Sequence, residues 1–140
     1  MTRSILVPMD DSRYSREALE YAFHQHPDAD VTVLHVVGHA EAIGVEWTTA
    51  QAKQWKENVR EQARELLADA EEIAADHGRE LTTTLDEGAT ARTITDYADD
   101  QPIDHIIMGS RGRTGLKRIL LGSVAESVIR QSPVPVTVIR

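Results

Sequence analysis

The residues of this chain whose types and spacing could do chemistry are Gly109, Gly112, Gly122 and Ser123, set out as Gly-x-x-Gly, nine residues, Gly-Ser. Glycine lets a backbone approach a ligand closely, and a serine opening a helix offers a hydroxyl as its N-cap. Around them stand Arg111, Arg113, Lys117 and Arg118, with no Asp or Glu between Gly109 and Ser123. In a chain of formal net charge -8, that local excess of positive charge points to an anion, and arginine can hold phosphate oxygens bidentately. The combination predicts a polyphosphate site. The blander alternative is turn and cap chemistry, with Arg113, Lys117 and Arg118 as a solvated rim.

Two elements must position these residues. The apolar run His105, Ile106, Ile107, Met108 reads as a buried strand of a parallel sheet that stops at Gly109. Beyond Ser123 the segment 124–129 is apolar at helical spacing. Strand, glycine-bearing loop and helix start together present backbone N–H groups and a positive helix end to an anion. A second handover lies at the start of the chain. There Ile5, Leu6 and Val7 form a first strand over 4–9, and Asp10, Asp11 and Ser12 lead into a helix with Ser12 as N-cap, running to about His24. Asp10 therefore sits at the end of the sheet where open α/β folds bind ligands. A local Asp-Asp-Ser turn at a helix N-terminus explains the same residues without a ligand.

The remaining chain alternates in the same way. A strand is predicted over 30–37, then a long helix over about 48–77 with an apolar stripe at Ala52, Trp55, Val59, Ala63, Leu66, Ala70 and Ile73, closed by Gly78. A threonine-rich strand at 81–85 exits through Asp86, Glu87 and Gly88 into a helix over 90–98, with Ile94 and Ala98 inward. The last strand, VPVTVI at 134–139, contains Pro135, which cannot donate to a ladder and so marks a sheet edge. This alternation predicts one α/β domain over 1–140: an open sheet of five parallel strands with helices on both faces.

Several separated segments resemble the universal stress protein family: ILVPMDDSRYS near the N-terminus, Gly88, the Gly109, Gly112, Gly122, Ser123 pattern, and the closing SPVPVTVI. The glycine pattern is similar to the ATP-binding signature of one subgroup. The resemblance implies strand order 3-2-1-4-5, a Rossmann-type arrangement like the adenine-nucleotide hydrolases. It implies Gly109, Gly112, Gly122, Ser123 and Val124 on phosphates, largely by backbone. It carries Asp10, with Pro8 and the backbone of Val36 or Val37, to the adenine and ribose. It also implies a homodimer through 134–139, from Val134 to Ile139. Arg111 falls at a variable position of the pattern, so its phosphate contact is an electrostatic inference. Met108 is a strand residue first and a lining residue second.

Competing chemistries lack their residues. No Gly-Lys-Ser/Thr follows a glycine loop, and no Gly-x-Gly-x-x-Gly follows the first strand. Ser110, flanked as Gly-Ser-Arg-Gly, lacks the nucleophile-elbow spacing. With no cysteine there is no disulfide framework or thiolate metal site, and the six histidines show no convincing zinc spacing. Magnesium arriving with ATP is the expected metal. An excess of 23 acidic over 15 basic residues argues against nucleic-acid coating. No long apolar run suggests a membrane span, and a cytoplasmic location is expected. The expected function is an ATP-dependent stress-response and signalling module with an as yet unknown protein partner. The alternatives are a slow ATPase or nucleotidyl-transfer enzyme on the same fold, and a dimerisation protein whose pocket is empty or holds another adenine nucleotide.

Overall fold

A computed structural model describes residues 2–38, 48–110 and 121–140. Among these residues five strands and four helices alternate: β1 (Ser4–Pro8), α1 (Arg13–Gln25), β2 (Asp30–Val37), α2 (Thr49–Asp76), β3 (Thr82–Glu87), α3 (Thr90–Asp100), β4 (His105–Gly109), α4 (Ser123–Gln131) and β5 (Val136–Ile139). The strands are all parallel, in the order β3-β2-β1-β4-β5. Fold class and strand order are as expected. Among the described residues, no helix is long and apolar enough to cross a membrane.

Side-chain alternation along the central strands builds two cores. Ile5, Val7, Met9, Val31, Val33 and Ile107 point to one face, where they meet Leu19, Ala22 and Phe23 of α1 and Leu66, Ala70 and Ala74 of α2. Leu6, Leu34, Ile106 and Met108 point to the other, against Ile94 and Ala98 of α3 and Ala125 and Val128 of α4. A strand covered on both sides must be apolar at every position, which is why ILV and HIIM read as continuous runs. Ile5, Leu6 and Val7 are fully buried, each contributing about 1.5–3 kcal/mol.

Helix ends follow their local chemistry. Thr48 and Gln51 form a reciprocal capping box on α2. At the other end Gly78, at φ 65°, closes a Schellman motif in which Gly78 N–H donates to the Ala75 carbonyl and Arg79 N–H to Ala74. The Arg79 guanidinium then donates to the carbonyls of Phe23, His26 and Ala29 at 3.3, 3.4 and 2.6 Å and lies over the Phe23 ring. One side chain thereby ties the α2–β3 connection to the α1–β2 connection.

Two strand boundaries differ from expectation by two residues, and the end of β1 and the start of β3 by one. β3 runs on to Glu87, because Asp86 and Glu87 continue its ladder opposite Val36 and Val37. β5 is an edge as expected but begins at Val136, so Val134 and Pro135 lie outside it. The Pro135 carbonyl still accepts from Ile106 N–H at 3.0 Å, so proline costs this edge a donor and no ladder acceptor.

Candidate functional site

β1 and β4 are neighbours, and their chains leave in opposite directions, α1 covering one face and α4 the other. Strand order reverses here, which opens a crevice at the carboxyl ends of the strands. The corners of that crevice are the turn 9–15 after β1 and the junction of Ser110 with Gly122 after β4.

The first corner is closed by its own hydrogen bonds. Asp10 Oδ1 accepts Ser12 N–H at 2.8 Å, an Asx turn, and lies 3.1 Å from the Ser15 hydroxyl. Ser12 Oγ caps α1 by accepting Ser15 N–H, as predicted. The Ser15 hydroxyl, which has one proton, has the carbonyls of Asp10 and Ser12 within 2.9 and 3.0 Å as further acceptors, and it accepts Asp10 N–H. His35 of β2 reaches across to the Met9 carbonyl at 2.8 Å. A carbonyl only accepts, so His35 carries its proton on Nδ1 here. Asp10 is therefore held in one orientation, half-buried, with no hydrogen bond to Oδ2 among the described residues.

The second corner is built by close approach. A Cβ on Gly109 would lie 2.7 Å from Tyr14 Cβ and 2.9 Å from the Tyr14 carbonyl carbon, so glycine is needed for the first turn of α1 to sit on the end of β4. That supplies a packing reason for Gly109 independent of any ligand. Ser110 then donates its N–H to the Ile139 carbonyl at 2.7 Å and accepts Gly122 N–H at 2.6 Å. Gly122, not Ser123, is the N-cap of α4, and no side chain caps the helix among the described residues. The expectation of a capping Ser123 is corrected: Ser123 is the first helical residue, its side chain one position too far along to serve its own helix. The N–H groups of Ser123 and Val124 have no backbone acceptor among the described residues.

The other predicted site residues fall around these corners. Pro8 is buried in β1 opposite Leu34 of β2. Met108 is 5% exposed and belongs to the α3/α4 core, against which Val36 and Val124 also pack. Val37 turns away from that core: with Trp55, Val59 and Leu85 it lines a cavity of about 320 Å³ rimmed by Lys56, Arg60, Asp86 and Glu87, beside the β3 edge. Arg111, Gly112, Arg113, Lys117 and Arg118 lie outside the described residues. Among the described residues, no three His, Cys, Asp or Glu side chains gather as a metal site. Sequence reasoning missed Tyr14, Ser15 and His35 as builders of the site. Ser12-x-x-Ser15 was visible as a double cap, but the partners of Tyr14 and His35 are distant in the chain.

Arg13 adds positive charge beside the first corner. Its guanidinium lies over the Tyr14 ring and donates to the Tyr14 hydroxyl at 3.3 Å, which raises its already high pKa.

Comparison with known proteins agrees with this architecture. A family model described as the universal stress protein family matches residues 1–140. The universal stress protein MJ0531 of Methanocaldococcus jannaschii is 34% identical, the alignment covering 99% of this chain and 82% of that protein. YxiE of Bacillus subtilis, also a universal stress protein, is 30% identical, with both chains covered in full. The solved structure of MJ0577, another M. jannaschii universal stress protein, superposes with a TM-score of 0.84 at 33% identity, over 99% of this chain and 96% of that one. With a match running from end to end and relatives this similar over most of their own length, the chain belongs to the universal stress protein family.

Proposed function

We propose that this protein binds an adenine nucleotide, ATP with magnesium by preference, in the crevice between the β1–α1 and β4–α4 corners. It then acts as a nucleotide-dependent stress-response module. The observation that carries the proposal is the N-terminus of α4, which no side chain caps among the described residues and whose Ser123 and Val124 N–H groups lie at the crevice end of the sheet beside a glycine-bearing turn. Phosphate would be held by the backbone of Gly109, Gly112, Gly122, Ser123 and Val124, as the family resemblance implies, with the charge of Arg111 adding electrostatic attraction. Asp10, oriented by Ser12 and Ser15, would face the ribose and adenine, with Pro8, the backbone of Val36 or Val37, and Met108 lining that side.

Two solved structures with this fold support the ligand class: a universal stress protein in complex with cAMP (21% identity, TM-score 0.73), and an Arabidopsis thaliana family member with AMP bound (14% identity, TM-score 0.71). At those identities they share the fold, and the nucleotide belongs to those proteins. Magnesium would arrive on the phosphates. Several charge-assisted hydrogen bonds, at about 1.5–3 kcal/mol each before association costs, suffice for micromolar affinity, roughly -8 kcal/mol.

Acid extraction and chromatography of the purified, undialysed protein, followed by calorimetric titration of ATP with magnesium, tests the proposal. Near-stoichiometric nucleotide, or micromolar binding that Gly122→Val abolishes, is the expected result. No nucleotide and no heat with ATP, ADP, AMP or cAMP would overturn it.

The proposed assembly is a homodimer through β5. The carbonyls of Pro135 and Ile139 point to β4, so by the alternation of a parallel ladder the backbone groups of Val136 and Val138 face outward. Val138→Pro removes an outward donor alone, and sedimentation should then show monomer where the wild type shows dimer.

A further inference from the structure

Ser110 is 3% exposed, and its hydroxyl has no hydrogen-bond partner among the described residues. Buried side-chain polar atoms in folded proteins are nearly always bonded, so an orphan of this kind needs a reason. Its place supplies one. Gly109 faces Tyr14 on the α1 side of the sheet, and Met108 faces the α3/α4 side. The intervening alternation directs the Ser110 side chain to the α4 side. The Ser110 carbonyl meanwhile accepts Gly122 N–H, which pins the residue beneath the N-cap of α4. Among the described residues, a buried hydroxyl without a partner and a helix start without a side-chain cap thus share one corner. Alanine would fill this position with nothing left unsatisfied.

We propose that the Ser110 hydroxyl is a donor within the phosphate site, hydrogen-bonding an oxygen of the phosphate group seated on the Ser123 and Val124 N–H groups. This rests on the nucleotide reading above and adds to it a residue buried under the glycine turn. A phosphate oxygen only accepts and a serine hydroxyl rotates to donate, so the two are complementary without any change of backbone. Before nucleotide enters, the orphaned group costs stability. Once nucleotide is bound, it contributes affinity.

That change of sign is the test. Wild type, Ser110→Ala and Ser110→Cys are titrated with ATP and magnesium by calorimetry, and each is melted without nucleotide. The expected result for Ser110→Ala is about tenfold or more weaker ATP binding together with an unchanged or higher Tm. Ser110→Cys, which fills the same space but donates poorly, should bind as weakly as Ser110→Ala. Unchanged ATP affinity in Ser110→Ala, while the wild type binds, would overturn the assignment and leave the nucleotide reading standing. A Tm that falls along with affinity would mean that the hydroxyl is already satisfied inside the protein, and affinity restored in Ser110→Cys would mean that its effect is packing; either overturns the assignment. Absence of ATP binding by the wild type would overturn the nucleotide reading and this assignment with it.

Discussion

At the β1–α1 corner the turn supplies its own partners: Asp10 takes Ser12 N–H, Ser12 caps Ser15, and the Ser15 hydroxyl has acceptors on either side. At the β4–α4 corner a glycine is the N-cap and, among the described residues, no side chain caps the helix and a buried hydroxyl is left over. Both corners are strand-to-helix handovers at the same switch point, so topology does not explain the contrast. A turn that satisfies its own backbone is rigid and orients its carboxylate, leaving Asp10 Oδ2 as the acceptor it has to offer among the described residues. An unsaturated turn forgoes stability and keeps donors available. Under the proposed nucleotide reading, one corner positions and the other binds.

The largest effect expected from breaking this arrangement comes where the two corners touch. Gly109→Ala places a Cβ against Tyr14 Cβ and backbone, and should destabilise by about 3 kcal/mol in urea unfolding. Because backbone atoms form part of that contact, Tyr14→Ala should not rescue it. A midpoint shift under about 0.5 kcal/mol would show that α1 and β4 have slack, and that the glycine there is not required by packing.

Serine-to-alanine changes sharpen the contrast directly. Ser15→Ala leaves Asp10 N–H and Oδ1 each short of a partner and should cost about 1–2 kcal/mol. Ser123→Ala, which removes no cap, should stay within about 0.5 kcal/mol. Equal losses at the two sites in denaturant melts would erase the distinction between the corners.

The smallest effect is expected at the opposite end of the sheet. There His105 bonds Thr137 of β5 at 2.7 Å and meets the His26 ring edge-on at 5.7 Å. Burial, then the neighbouring His26 and Arg3, hold its pKa below the usual 6.5. The unfolded chain therefore takes the proton more readily than the folded one. Its contribution to stability is present above about pH 6.5 and fades as the pH falls below that value towards the lowered one. A modest drop in Tm between pH 7 and 5, flattened in His105→Gln, is the expected profile. It should leave nucleotide affinity unchanged, since both corners lie at the other ends of the strands.

Much of this organisation was legible in the chain. Local hydrophobic period and cap chemistry place all nine elements, with Ser12 and Thr48 opening their helices and Gly78 closing one as predicted. The misses were of a different kind. Ser123 looked like a cap because its type fits, yet the exact residue at which a helix begins depends on where the preceding strand releases the chain. β5 lost Val134 and Pro135, and β3 gained Asp86 and Glu87, because ladders end where the neighbouring strand does.

Sequence by itself thus determined the alternation of strands and helices, the two-sided burial of the central strands and the clustering of glycine and positive charge after the fourth. These follow from interactions within a few residues, or from how much apolar surface a segment must hide. Strand order was available only through family resemblance, since no local interaction encodes which strand lies beside which. Tertiary structure alone decided why Gly109 has no side chain, which histidine steadies the Asp10 turn, and that the Ser110 hydroxyl is buried without a partner among the described residues. Each of those depends on atoms brought together across the sheet from tens of residues away, and only the folded packing sets those distances.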